Sequence, residues 1–201
     1  YSIMINLITI SAPSGSGKTT LCKALQKVKP EIEWSVSYTT REIRSTEVNT
    51  EDYNFISQDK FENLIIKQEL AEWENVHGFY YGTSKNKIED VISNNKIMLL
   101  EMDVKGAIRI KELYYNNTFS IFIIPPSIDH LRDRLIKRGT DSAKRIEIRL
   151  QRFQQEMGYQ DKFDHIMVNE NLEMAIEELI NIVNKLNTGD NKHGTQNYPV
   201  S

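Results

Sequence analysis

Eight residues, Ala12-Pro13-Ser14-Gly15-Ser16-Gly17-Lys18-Thr19, constrain this chain more than any other stretch. An apolar run from Ile5 to Ile10 precedes them, and a segment of helical character from Thr19 to Val28 follows. A strand, a Gly-rich loop, Gly-Lys-Thr and a helix in that order form the setting of a phosphate-binding P-loop. Glycines let the backbone wrap so that its N–H groups converge on an anion. The helix start adds unpaired N–H groups and partial positive charge. Lys18 is placed to reach β/γ-phosphates, and the Thr19 hydroxyl to ligate Mg²⁺. Ala12 stands where the pattern has its first Gly, and a modest backbone adjustment is expected. A chance Gly/Ser turn before a helix is the alternative. Strand, spacing, lysine and threonine together argue against it.

The rest of the chain alternates strand and helix patterns. Apolar runs at Leu7–Ile10, Ile97–Leu100, Phe119–Ile124 and Ile166–Val168 read as buried parallel strands. Helical spacing appears in Leu21/Leu25/Val28, Ile108 to Leu113, Ile128/Leu131/Leu135, Ile146/Leu150/Phe153/Met157 and Ile176 to Leu186. The expected fold is therefore α/β: a mostly parallel sheet of P-loop NTPase type with helices on both faces. Ligands of such sheets bind beyond the carboxyl ends of the strands. The P-loop, Glu101/Asp103 and Asn169 all fall there.

Residues 35–95 break this rhythm. Trp34 to Thr40 alternates like one strand, Arg41 to Asp52 reads as a polar loop, and Tyr53 to Ile56 as a short strand. Phe61, Leu64 and Ile65 mark a short helix, and Ile88, Val91 and Ile92 another. Leu70 to Thr83 reads as two antiparallel strands turning at Gly78. This is a small mixed α+β insertion into a core formed by 1–34 and 96–187. Residues 188–201 form a polar tail without an apolar pattern.

Three clusters outside the P-loop carry chemistry. Ser37 to Arg44 sets Arg41 and Arg44 among hydroxyls, and their planar forks suit a phosphate monoester. A solvated polar loop explains the spacing as well. Glu72, with Tyr80-Tyr81-Gly82-Thr83, offers a carboxylate that accepts N1–H and N2–H₂ of guanine, while Ser37 and Thr83 serve O6. Adenine has a bare acceptor at N1 and would be repelled. Taken alone, Glu72 on a solvent face and tyrosines in the core is the commoner arrangement. Finally, Arg134, Arg138, Arg145 and Arg149 flank Gly139-Thr140-Asp141-Ser142, as a lid at about 134–149 over phosphates requires. An ordinary charged helix face is the alternative.

Together these stretches resemble the guanylate kinases, P-loop nucleoside monophosphate kinases. The resemblance rests on the P-loop, Ser37 to Arg44, Tyr53, Glu72, Tyr80-Tyr81-Gly82-Thr83, Glu101-x-Asp103-x-x-Gly106, Ile124-Pro125-Pro126-Ser127, Arg134-x-x-x-Arg138-Gly139 and Val168-Asn169. It spans about residues 5 to 187. It implies Mg²⁺-dependent transfer of the ATP γ-phosphoryl group to GMP, giving ADP and GDP, within purine metabolism. By position, Ala12 to Thr20 and Lys18 would hold ATP phosphates, with Thr19 on the metal and Glu101 or Asp103 reaching it through water. Arg134 and Asn169 would lie near the ATP base and phosphates, and Arg138 and Arg149 would close over the transferring group. Ser37, Glu72 and Thr83 would read guanine, with Glu101, Asp103 and Gly106 beside it. Arg41, Arg44, Tyr53 and Tyr81 would hold the GMP phosphate. Lys18, Arg41, Arg138 and Arg149 are thus the expected catalytic charges.

Departures from the family pattern lie at Ile43, Thr46 and Thr50, which replace Pro and two Gly. Others are Glu101 for Asp, Lys105 for Gln, and Ala143 and Lys144 for acids. Two other readings remain: a non-catalytic guanylate-kinase-like interaction module, and a P-loop kinase for another nucleoside monophosphate.

Bulk composition excludes other classes. A net charge of −3 argues against a dominant nucleic-acid surface. No apolar run approaches the roughly 18 residues of a membrane span. The one cysteine, Cys22, allows no intrachain disulfide. A cytoplasmic enzyme is expected, with no signal peptide, no nucleic acid and no membrane. The sequence does not choose between monomer and homodimer.

Overall fold

The computed structural model describes residues 4–13, 16–45, 47–76, 78–139 and 142–187. The expectations placed on Ser14, Gly15, Thr46, Thr140, Asp141 and the 188–201 tail lie outside these residues, as does the Arg138 side chain.

Strand β1 (Leu7–Ser11) is buried over its whole length and lies at the centre of a five-stranded sheet. It is flanked by β7 (Met98–Glu101) and β8 (Thr118–Ile124). The edges are β2 (Glu33–Trp34) and β9 (His165–Val168), and every pairing in this sheet is parallel. A parallel sheet must be covered on both faces, and the alternation of β1 meets that need. Ile8 and Ile10 face helix α1 (Lys18–Val28) and helix α7 (Leu172–Asn187), through Leu21, Cys22, Leu25, Leu179 and Val183. Leu7, with Met98, Leu100 and Phe122, faces α3 (Lys85–Ser93) and α4 (Val104–Leu113), through Ile88, Val91, Ala107 and Ile110. Val28, expected on the buried stripe of α1, faces solvent, and Cys22 takes a place in the core instead.

Trp34 to Thr40 is not one strand. Glu33–Trp34 ends in the parallel sheet, and β3 (Tyr38–Thr39) begins a second one. The alternation runs on through the crossing, because Ser35 is itself buried between the two sheets' strands while its neighbours are half-buried. The second sheet has the order β4 (Asn54–Phe55), β3, β6 (Phe79–Ser84), β5 (Leu70–Val76). Pairing is antiparallel between β5 and β6 and between β6 and β3. Helix α2 (Gln58–Ile66) anchors this sheet through Phe61, which is fully buried and stacks on Tyr80 with ring centroids 5.3 Å apart. The chain leaves the parallel sheet after β2 and returns at β7.

Helices α5 (Ile128–Arg138) and α6 (Ala143–Met157) share a separate small core of Leu131, Leu135, Leu150 and Phe153. Met157 touches both this cluster and the second face of the parallel sheet, so α6 is tied down at its C-terminal end.

Candidate active site

The carboxyl ends of β1, β7 and β9 open on one side of the sheet. Gly17 precedes α1 with φ +87 and no side-chain cap. The other helices start on a Ser, Asp or Asn side chain that accepts from the first turn, as at Ser57, Ser84, Asp103, Ser127, Ser142 and Asn171. Among the described residues no side chain caps the first turn of α1, which leaves its amides for an anion. A Cβ on Gly17 would sit 2.6 Å from Asn169 Nδ2. That amide donates to Ser16 O at 2.8 Å, so the end of β9 braces the loop after β1. Arg134 donates in turn to Asn169 O at 2.8 Å and reaches Glu170 O at 3.4 Å. Lys18 Nζ donates to Met102 O at 3.0 Å and lies 3.8 Å from Glu101 Oε1. Thr19 Oγ1 donates to the same Glu101 oxygen. A hydroxyl and a carboxylate in contact beside a phosphate loop are the hard oxygen donors that Mg²⁺ prefers, so the residues present fit that ion.

Across the crevice stands the second sheet. A cavity of about 790 Å³ is lined by Thr19, Ser37, Arg41, Arg44, Tyr53, Tyr81 and Glu101. Lys23 and Lys27 of α1 also line it. Arg41 donates through Nε to the Tyr81 hydroxyl at 3.2 Å, and its guanidinium lies 5.5 Å from the ring centroids of both Tyr53 and Phe55. Burial, with the Glu101 charge behind it, pushes the Tyr53 hydroxyl up to about 12. It stays a neutral donor over the working range of an enzyme.

Glu72 and Thr83 form a further group. Thr83 Oγ1 donates to Glu72 Oε1 at 2.6 Å. Glu72 Oε2 presses on the first turn of α4, where a Cβ on Gly106 would come within 3.0 Å of it and of Asp103 Oδ1. Asp103 Oδ1 accepts from Gly106 N at 2.8 Å and caps that helix. Burial raises the Glu72 carboxyl to about 7, Thr83 opposes the shift, and the Asp103 and Glu74 charges add to it. A half-buried carboxylate with one hydroxyl partner is short of donors. A ligand edge with two N–H groups would supply them.

The structure thus gathers Lys18, Thr19, Ser37, Arg41, Arg44, Tyr53, Tyr81 and Glu101 at one crevice. Glu72, Thr83, Asp103 and Gly106 meet in a second group that does not line this crevice, Glu72 and Gly106 facing a separate pocket of about 570 Å³, and Arg134 and Asn169 brace the P-loop from β9. Arg149 lies half-buried on α6. Glu47 is not among the expected site residues. Its carboxylate takes Arg41 Nη1 and Nη2 at 2.9 and 2.7 Å. The signal was there, an acid three residues after Arg44 and six after Arg41, but charged loop residues usually face water.

A family model described as guanylate kinase matches residues 4–186. A guanylate kinase of Geobacter metallireducens is 44% identical over 177 residues, 88% of this chain and 87% of the relative. One from Polaromonas sp. is 42% identical over 178 residues, 89% of this chain and 86% of the relative. Among solved structures, guanylate kinase from Anaplasma phagocytophilum superposes with a TM-score of 0.76 at 30% identity, covering 92% of this chain and 87% of that one.

Proposed function

The chain belongs to the guanylate kinase family, and on that premise we propose that it transfers the ATP γ-phosphoryl group to GMP in the crevice between its two sheets. The observation that carries this reading is the cavity that Thr19 and Glu101 share with Ser37, Arg41, Arg44, Tyr53 and Tyr81. Phosphate loop and acceptor groups face one space.

An oxygen of the GMP phosphate attacks the γ-phosphorus in line. The new O–P bond forms as the bond to the β–γ bridging oxygen breaks, giving GDP and ADP. The chemistry needs positioning and charge neutralisation rather than a covalent protein intermediate. No Ser or His base is required, because the nucleophile is already an anion. Lys18 leaves Met102 O for the β/γ-oxygens, and the free amides of α1 hold the adjacent phosphates. Arg41, Arg44, Tyr53 and Tyr81 hold the GMP phosphate. Glu72 and Thr83 read guanine from the back of the acceptor side, with Ser37 on O6. Gly106 is the position that lets Glu72 sit against α4. Asp103 acts as the cap of that helix. Arg138 and Arg149, on the helices of the separate small core, close over the transferring group. Asn169 and Arg134 act by holding the P-loop in shape.

Thr19 and Glu101 would hold Mg²⁺, which when bound neutralises phosphate charge. Residues 35–95 serve as the GMP-binding subdomain, 1–34 and 96–187 as the core, and 134–149 as the lid. We place the reaction in the cytoplasm; no described helix is long and apolar enough to cross a membrane.

ADP production with GMP, dGMP, AMP and UMP tests the assignment. GMP should exceed AMP and UMP by orders of magnitude in kcat/KM. Absence of ADP with GMP would overturn it and favour an interaction module.

A further inference from the structure

The Arg41–Glu47 pair is the tightest charge contact lining the cavity. Both side chains are nearly withdrawn from water, at 11% and 14% exposure. Two parallel N–H···O bonds join the end of the guanidinium to the carboxylate. Nη1 also donates to Glu42 O at 2.7 Å, and Nε to the Tyr81 hydroxyl at 3.2 Å. A guanidinium has five N–H donors. Among the described residues four of them are engaged within the chain, and the remaining one is the second N–H of Nη2, on the edge that also carries Nε. That edge adjoins the hydroxyl of Tyr81, itself able to donate to an anion.

Glu47 also organises the loop. It accepts from Arg44 N at 2.9 Å, its own N–H donates to Arg44 O at 3.0 Å, and its carboxylate lies 3.9 Å from Arg44 Nη1. One carboxylate therefore fixes the backbone at one arginine and the side chain of the other. The pairing holds Glu47 below the usual carboxylate range and Arg41 above its own.

From this geometry we infer that Glu47 is a positioning residue for the acceptor phosphate: it clamps the end of Arg41 so that the Nε–Nη2 edge, with Tyr81, is presented to GMP. The inference rests on the reading of Arg41 as a GMP-phosphate ligand. A rigid fork loses less freedom on binding than a free one. Glu47 touches no reacting atom. Its effect passes through Arg41, so it falls on the phosphate of GMP and not on the base.

Binding of GMP and of guanosine to the full chain, measured by calorimetry, separates these contributions. Glu47→Gln keeps the shape and removes the charge. It should weaken GMP roughly tenfold to a hundredfold, as a displaced binding group does, and leave guanosine unchanged. On an Arg41→Ala background the same change should have almost no further effect. Equal losses for GMP and guanosine would mean that Glu47 only supports the fold, and would overturn the inference. So would unchanged or tighter GMP binding, which would make Glu47 a mere competitor of the phosphate. A full Glu47→Gln effect on the Arg41→Ala background would overturn it too. If Arg41→Ala itself leaves GMP affinity intact, the phosphate-ligand reading fails and takes this inference with it, whereas a large Arg41→Ala loss beside a silent Glu47→Gln rejects Glu47 alone. Should Glu47→Gln not fold, Glu47→Asp replaces it. The stem shorter by one methylene sets the same carboxylate back from the two Nη atoms, so a smaller loss with the same GMP-only pattern is expected, and wild-type GMP affinity would overturn the clamp.

Discussion

On the P-loop side of the crevice, the anion-binding groups are mostly backbone. The first turn of α1 has no side-chain cap, Gly17 takes a left-handed φ of 87, and Asn169 braces the loop from the next strand but one. On the opposite side the groups proposed for the acceptor nucleotide are side chains carried by short strands and a loop: Arg41, Tyr53 and Tyr81 line the cavity, and Thr83 donates to Glu72 on the same sheet. Backbone groups come pre-oriented by the helix and cost little to hold. Side chains must be held by one another, and so the second half contains a half-buried carboxylate raised to about 7 and an arginine locked to an acid. A common phosphate loop needs no specificity; a base reader does. In the proposed reading Glu72 and Thr83 would supply it, by leaving a wrong base unpaired. An ion pair that joins α1 to the acceptor loop, Lys23 to Asp52 at 3.5 Å, has an exposed lysine and contributes little to holding the halves together.

The largest expected effect cuts the P-loop side alone. Lys18→Ala should lower kcat by about a thousandfold or more, since the transferring phosphoryl loses its main protein charge. GMP affinity should stay within about twofold by calorimetry, because uncoupled sites do not share binding energy. An equal loss of GMP binding would break the comparison by showing that the two halves act as one.

Glu72→Gln cuts the other side. The GMP-to-AMP ratio of kcat/KM should fall by about a hundredfold, because an amide no longer accepts from both guanine donors. An unchanged ratio would reject Glu72 as the reader. The pH dependence sharpens this. In the free protein Glu72 is protonated below about 7, and the protonated form has lost an acceptor. GMP KM for the wild type should therefore rise as pH falls from 8 to 6, and the variant should lack that rise. Stability runs the other way. A carboxyl raised above its unfolded value favours the fold at low pH, and that advantage is lost as pH rises through about 7. Glu72→Gln should then be more stable than the wild type at pH 8, on the order of 3 kcal/mol, and much less so at pH 5, by thermal denaturation. A difference independent of pH would reject the buried charge as its source.

The same contrast explains what could be read from residues alone. The P-loop was legible because its parts are contiguous, and so were the helices and buried parallel strands, whose periodicity is local. The crossing at 35–37 was not, because side-chain alternation does not reveal which sheet a strand joins. Nor was the depth of Glu72, which depends on Gly106 docking α4 against it from another element. Glu47 looked like one more charge in a polar loop, and only its distance to Arg41 distinguishes it. Side chains that hold one another across elements leave no local pattern.

The smallest effect concerns one backbone conformation that both halves use. Gly17 adopts φ 87 beside the P-loop, and Thr50 adopts φ 71 in the acceptor loop. Glycine occupies that region freely, while a β-branched residue is disfavoured there by about 1–2 kcal/mol. Thr50 stays because its surroundings dictate the turn. Its N–H donates to Tyr53 O at 2.8 Å, Asn49 pairs with Tyr53, and Asn49 Oδ1 accepts from Phe55 N at 3.0 Å. Thr50→Gly should relieve the strain but loosen the unfolded chain. The net gain should be under about 1 kcal/mol, read as a small rise in Tm. GMP affinity should not move, since the turn that carries Tyr53 is already imposed by its hydrogen bonds. A Tm gain accompanied by weaker GMP binding would show instead that Thr50 itself stiffens the acceptor half, placing part of its preorganisation in a strained residue rather than in the network around Arg41.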